Sequence, residues 1–325
     1  MSTVLLTGGT GLVGSNVAAL LREKGHRLRA LVRAGSDTSY LESLGAEIVP
    51  GDVGDAESVL SAAKGCDGII HSAAALGGPE QTDESMRINV IGARSVLDAG
   101  AATNARVVLV SSVVVLDHTP PITEDSPLAS EPTDHYSISK LAALREGEAR
   151  VDAGQDVVFV LPGSIYGPGQ PISRALGKTS FNRAIRAAIN GRVTEYLNKP
   201  SPWVLSEDVA AVVVAAWERG RTGARYLAFG AEDSIGGADW LNAACAAAGV
   251  PHRVRPRVPD PKDPELLRLY GPSVLARLTE QSLPSGGRRV DASRTQRELG
   301  TPPTPLPEAM TRTVAWLRRH GQIPS

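Results

Sequence analysis

The sequence predicts an α/β protein: a doubly wound parallel (Rossmann) sheet with a smaller, mainly helical C-terminal lobe. Strand-like and helix-like segments alternate up to about residue 161, the rhythm of a parallel sheet covered on both faces. Several strands are continuous apolar runs, Val107 to Val110 and Val157 to Leu161 among them, as strands buried on both sides require. The first strand enters a glycine-rich turn and then a helix. In that arrangement main-chain N–H groups at a helix N-terminus receive a dinucleotide diphosphate.

Taken in order, residues 3–7 form the first strand and 7–14, T-G-G-T-G-L-V-G, the turn. Gly9, Gly11 and Gly14 satisfy G-x-G-x-x-G, while Gly8, Gly11 and Gly14 give the tighter G-x-x-G-x-x-G spacing. Thr7, Gly8, Gly11, Leu12, Val13 and Gly14 are the candidate cofactor contacts here, because positions without a Cβ allow a sharp turn and close approach of phosphate. Val13, Val17, Leu20 and Leu21 share one helical face, and Gly25 can close the helix. Strands at 27–32 and 46–50 follow. Arg33 stands after the first of these, where an acid suits NAD and a cation suits the 2′-phosphate of NADP; NADP is therefore the expected cofactor, with NAD the alternative.

Asp52 and Val53, after the third strand, are placed to hold adenine. The strand at 67–71 leads into H-S-A-A-A, where Ala73 and Ala74 leave room for a cofactor and His71 reads as structural. Strands at 106–111 and 156–161 complete a dinucleotide-binding domain over 1–161. A helix at 206–220 and a strand at 225–229 return to that domain, and 162–325 otherwise forms the substrate lobe. Ser206 reads as the N-cap of its helix, with Glu207 and Asp208 in the first turn. Further helices are expected at 180–191, 238–248, 265–281 and 309–320. Four prolines between 256 and 264 mark a loop or lid connection, and a Pro-rich break spans 302–307.

Tyr136 and Lys140 are four residues apart at the head of a helix running to about 153, so they lie on one face. A free tyrosine, with a pKa of about 10, is too weak an acid for work near neutrality. A lysine ammonium one turn away, together with an oxidised nicotinamide, stabilises the phenolate. Lys140 can also reach ribose hydroxyls. Ser112 follows the strand at 106–111, where a hydroxyl either caps or meets a substrate carbonyl. Asn89 is a polar residue in an apolar-periodic helix, hence a surface amide or a kink with a water site.

Composition narrows the classes. With 325 residues, 42% hydrophobic, the chain can bury a large core, and a net charge of −1 from scattered charges excludes the basic footprint of a nucleic-acid or membrane-surface binder. Two distant cysteines make no disulfide framework. No apolar run approaches a membrane span, no secretory leader is legible at the N-terminus, and no metal-ligand spacing occurs, so a cytoplasmic, metal-free protein is expected.

Together these residues resemble the extended short-chain dehydrogenase/reductase family, also called the NAD-dependent epimerase/dehydratase family. The likeness rests on T-G-x-x-G-x-x-G at 7–14, Asp52–Val53, Asn89, Ser112, the Tyr136 and Lys140 pair, Y-G-P-G at 166–169 and D-V-A at 208–210. It is dense to about residue 170 and loose beyond. The resemblance implies that Ser112 polarises the substrate oxygen, Tyr136 exchanges the proton, Lys140 tunes it and Asn89 supports a relay water, with Pro162 among the cofactor contacts.

Val113 and Val114 stand where sugar dehydratases of the family carry an acid pair. Leu161 to Ser164, and P-S-P-W at 200–203, stand where sugar epimerases carry diphosphate-binding arginines. The pattern is closer to the dihydroflavonol reductase and hydroxysteroid dehydrogenase branch. It implies hydride transfer to or from a carbonyl or secondary alcohol of a small or medium apolar substrate, with a nucleotide-sugar epimerase as the alternative. Val113 to Leu116 and Leu266, Leu267, Leu269 and Leu275 are expected to make the surroundings apolar. Arg253, Arg255, Arg257 and Arg288 are the cations able to meet a phosphate from another side. Family members commonly pair through the helices around 84–102 and 136–153, so a homodimer is expected, with Ala142, Ala143 and Ala149 permitting close packing.

Overall fold

The computed structural model describes residues 1–76, 82–117, 119, 121–132, 134–232, 235–281 and 290–324. Its central strands are β1 (Thr3–Thr7), β2 (Arg27–Val32), β3 (Glu47–Pro50), β4 (Gly68–His71), β5 (Arg106–Val110), β6 (Val157–Pro162) and β7 (Arg225–Ala228). They form one seven-stranded sheet in the order β3-β2-β1-β4-β5-β6-β7, parallel throughout. Strand order reverses between β1 and β4, and the carboxyl ends of such a pair open a ligand crevice.

The main helices over the sheet are α1 (Leu12–Glu23), α2 (Ala56–Ala63), α3 (Gly92–Thr103), α4 (His135–Asp152) and α5 (Ser206–Arg219). Because strand side chains alternate, Val4 and Leu6 pack with Val17 and Leu21 of α1 and Val213 of α5. Leu5, between them, faces the other way, towards Val59 of α2, Leu97 of α3 and Leu144 of α4. Each such fully buried side chain contributes about 2 kcal/mol.

A third core lies in the C-terminal lobe, where Trp203 stacks on Trp240 with centroids 4.0 Å apart and Tyr166 meets Trp240 edge-on. Hydrogen bonds from Asn16 Nδ2 to Pro168 O and from Gln170 N to Ser15 Oγ tie the segment leading into this core to α1. Among the described residues no helix is long and apolar enough to cross a membrane, and no cluster of His, Cys, Asp and Glu is arranged to hold a metal ion.

Four expectations need correction. Ser206 is the first residue of α5 and not its cap; Leu205 takes the cap position while the Ser206 hydroxyl donates to the Pro168 carbonyl at 2.6 Å. The helix expected at 265–281 is two, Pro264–Tyr270 and Pro272–Gln281, broken at Gly271, whose φ of 73° no helix accommodates. The last helix, Leu306–Arg319, starts ahead of 309 because Pro307 fits a first helical turn. Ala143 is buried within its own chain and is closed to a second copy.

Candidate active site

The turn after β1 is built from main chain. Gly8 has φ +74°, and a Cβ there would stand 2.5 Å from the Ala73 nitrogen. At Gly14 a Cβ would stand 2.1 Å from the Gly8 carbonyl oxygen. The two glycines therefore let the turn fold onto the β4 loop and onto its own helix. Gly11 caps α1 without a side-chain hydrogen bond, and no acid occupies the first turn, which leaves the N-terminal amides and their positive dipole end available to an anion.

The cleft in front of this turn encloses about 150 Å³. Of the sequence-predicted cofactor contacts, Gly8, Gly11, Arg33, Asp52, Val53, Ala73 and Ala74 line it. Asp52 does not point free into the cleft: its Oδ1 accepts from Gly54 N at 2.8 Å and from Arg87 at 2.7 Å. Burial raises the Asp52 pKa, but these hydrogen bonds and the charge of Arg87 outweigh it and hold the carboxyl below its ordinary range.

Thr7, Leu12, Val13, Gly14, Lys140 and Pro162 stand outside the lining. Thr7 is fully buried, and its hydroxyl shares a 2.7 Å hydrogen bond with Nδ1 of buried His71. Burial first, then the charge of Lys140, press the His71 pKa down to about 3, so the ring is neutral at physiological pH. Sequence reasoning missed Thr10, Ser36, Ile88 and Arg174, all of which line the cleft. Ser36, three residues beyond Arg33, was within reach of it; Arg174, from the other lobe, carries no local signal.

Beyond β5, Ser112 adopts extended backbone and its hydroxyl accepts weakly from Val114 N at 3.4 Å. The same hydroxyl stands near the Tyr136 phenol and acts to lower its pKa. Tyr136 lies in the first turn of α4, which Asp134 caps by accepting from Ser137 N at 2.9 Å. Burial raises the Tyr136 pKa to about 12; the nearby Ser112 hydroxyl pulls it down and the Asp134 charge pushes it up. Lys140 lies one turn on from Tyr136 in the same helix. Its ammonium donates to the Val110 carbonyl at 2.8 Å, and burial lowers its pKa to about 8.

Asn89 is buried in a π-helical turn, Arg87–Ile91, that leads into α3. Its Oδ1 accepts from Ala75 N at 2.9 Å, and its Nδ2 donates to Ala75 O and to Ser139 Oγ, both at 2.9 Å. Ser139 in turn donates to Tyr136 O at 2.9 Å. Both amide protons are thus committed, and the Asn89 side chain clamps the β4 loop to the Tyr136 turn.

Val113, Val115 and Leu116 are buried in the core, so of the expected apolar wall Val114 and Leu267 are the described side chains that remain partly exposed. Leu266 and Leu275 are buried. Arg288 and the Leu269 side chain lie outside the described residues. Arg255 faces Glu195 at 3.8 Å, Arg257 is paired with Asp263 and Glu265, and Arg253 donates to main-chain carbonyls.

Fold and site define a nicotinamide-dependent reductase or dehydrogenase of the extended short-chain type. The model of the NAD dependent epimerase/dehydratase family matches residues 4–229, and the chain belongs to that family. Sterol demethylase protein B of Methylococcus capsulatus is 32% identical over 99% of this chain and 100% of its own length. A Synechocystis protein provisionally named dihydroflavonol 4-reductase is 30% identical over 98% of this chain and 95% of its own. The crystal structure of gox2253 superposes with a TM-score of 0.85 at 30% identity, covering 100% of both chains.

Proposed function

We propose that the protein is an NADP-dependent oxidoreductase of small or medium apolar carbonyl compounds and the matching secondary alcohols. The observation that carries this reading is the convergence at the carboxyl end of β5 of Ser112, which follows that strand, with the helix head of Tyr136 and Lys140, whose ammonium donates to Val110 O at 2.8 Å. The residues fit the dinucleotide: the helix end in the cleft is uncapped, and Ser111 Oγ, just past β5, is buried without a partner among the described residues. The bound nicotinamide supplies hydride. Ser112 donates a hydrogen bond to the substrate oxygen, and Tyr136 gives that oxygen its proton as the alcohol forms. Lys140, one turn on, holds positive charge beneath the site while bonded to Val110.

The names of the two relatives, sterol demethylase protein B and the provisionally named dihydroflavonol 4-reductase, support an apolar substrate. So does the engagement of Arg253, Arg255 and Arg257 with partners of their own. Where a sugar epimerase would place an arginine ahead of α5, this chain has buried Trp203. Arg33, lining the cleft, supports NADP over NAD. Exposed Met86, Ile91 and Ile138, on the two helical segments expected to pair, support a homodimer.

Turnover of apolar ketones and aldehydes with NADPH, measured beside a nucleotide-sugar panel, tests this reading. The expected result is ketone reduction that falls about a thousandfold in Tyr136→Phe. Micromolar binding of UDP or dTDP with nucleotide-sugar turnover would replace it with the epimerase.

A further inference from the structure

We propose that Arg174, carried by the C-terminal lobe, binds the diphosphate of the cofactor from the side opposite the glycine turn. This rests on the nicotinamide-cofactor reading above and assigns a residue to it that neither glycine motif contains. Arg174 is exposed and lines the cleft together with Gly8, Thr10 and Gly11. No carboxylate comes within salt-bridge distance of it among the described residues, whereas Arg87 and Arg257, also at the surface, are paired. Asp52, the one acid among the lining residues, is already engaged by Arg87. The cleft therefore presents an uncapped helix end and two cations: Arg33, which faces Glu84 at 4.0 Å, and Arg174, which no acid balances among the described residues.

Position separates the two cations. Arg33 follows β2, at the end of the cleft where a ribose 2′-substituent rests. Arg174 sits in the short helix Ile172–Ala175, held against α1: Gln170 N donates to Ser15 Oγ at 3.0 Å, and Asn16 Nδ2 donates to Pro168 O at 2.8 Å. At Gly169 a Cβ would stand 2.5 Å from Leu12 Cδ1 and 3.4 Å from Ala175 Cβ, so this segment lies directly over the first turn of α1. An arginine planted there faces the phosphates that the helix N-terminus attracts, and its guanidinium fork suits two adjacent phosphate oxygens. The cofactor then bridges both lobes.

Titration of the full chain with NADH and with NADPH, followed by calorimetry, tests the assignment in wild type, Arg174→Ala and Arg174→Lys. Arg174→Ala is expected to raise both dissociation constants about tenfold and by the same factor, as loss of a charge-assisted contact common to both cofactors requires. Arg174→Lys should recover part of the loss, and the melting temperature without cofactor should not change. A loss confined to NADPH would place Arg174 on the 2′-phosphate and overturn the assignment. Unchanged constants for both would show a solvated side chain and overturn it as well. A wild type that binds neither dinucleotide would fail the cofactor reading itself, an outcome distinct from failure of the variant alone.

Discussion

The glycine cleft and the Ser112–Tyr136 edge occupy neighbouring strand ends but are built from different materials. The floor of the cleft is one uninterrupted stretch, β1 into α1, and its geometry comes from missing side chains: at Gly8 and Gly14 a single Cβ would collide with main chain. The edge is assembled by side chains from distant segments. Asn89 reaches Ala75, 14 residues back, and Ser139, 50 residues on, while Lys140 reaches Val110 across 30. A local motif fails when its own residues change; an assembled edge fails when any one of its cross-links is cut.

The contrast predicts where damage should appear. Gly14→Val should do the most harm, because its Cβ would meet the Gly8 carbonyl oxygen at 2.1 Å. A destabilisation of about 3 kcal/mol together with loss of dinucleotide binding is expected from denaturant melts and titration. A variant of wild-type stability would show that the turn tolerates a side chain and that the two regions are not so different.

Asn89→Ala should hurt the edge and spare the cleft. It strips partners from Ala75 N–H, Ala75 C=O and Ser139, at a cost of about 2 kcal/mol. We expect kcat to fall about tenfold as Tyr136 loses its positioning, while the dissociation constant for NADPH stays within about twofold. Equal losses in kcat and affinity would mean that the clamp serves both regions.

His71→Gln should matter least at neutral pH, and its effect lies in the pH profile. His71 is held neutral, its pKa near 3 against an ordinary 6.5. Below pH 6.5 the unfolded chain takes up a proton that the folded one refuses, so the stability due to this group is complete above pH 6.5 and is lost as pH falls towards 3. Glutamine, which does not titrate, should flatten the acid limb of a plot of melting temperature against pH. An unchanged limb would assign the acid sensitivity to other groups.

Much of this was open to reading residue by residue. Periodicity located the strands of the sheet within a residue or two at their ends, and spacing alone placed Tyr136 and Lys140 on one face of α4. The role of Asn89 was not legible, since a lone amide in an apolar helix looks the same whether it faces water or clamps a loop. A four-residue spacing likewise cannot reveal that the Lys140 ammonium donates to a main-chain carbonyl on β5. Ser206 looked like a cap for the same reason: its partner, Pro168, stands 38 residues away.

What the chain declares in its own order is whatever neighbours along the backbone decide: apolar period, turn glycines, and the strand–turn–helix that receives a diphosphate. What waits for the folded molecule is every decision taken by a hydrogen bond or an unpaired charge between segments far apart in the chain. Arg174 is the clearest instance, because only the packing of the Pro168–Ala175 stretch onto α1 brings a cation from the second lobe to the glycine turn of the first. Backbone preferences act over a few residues and are printed in the sequence, whereas side-chain partners are chosen by proximity in space, which the sequence specifies only by folding.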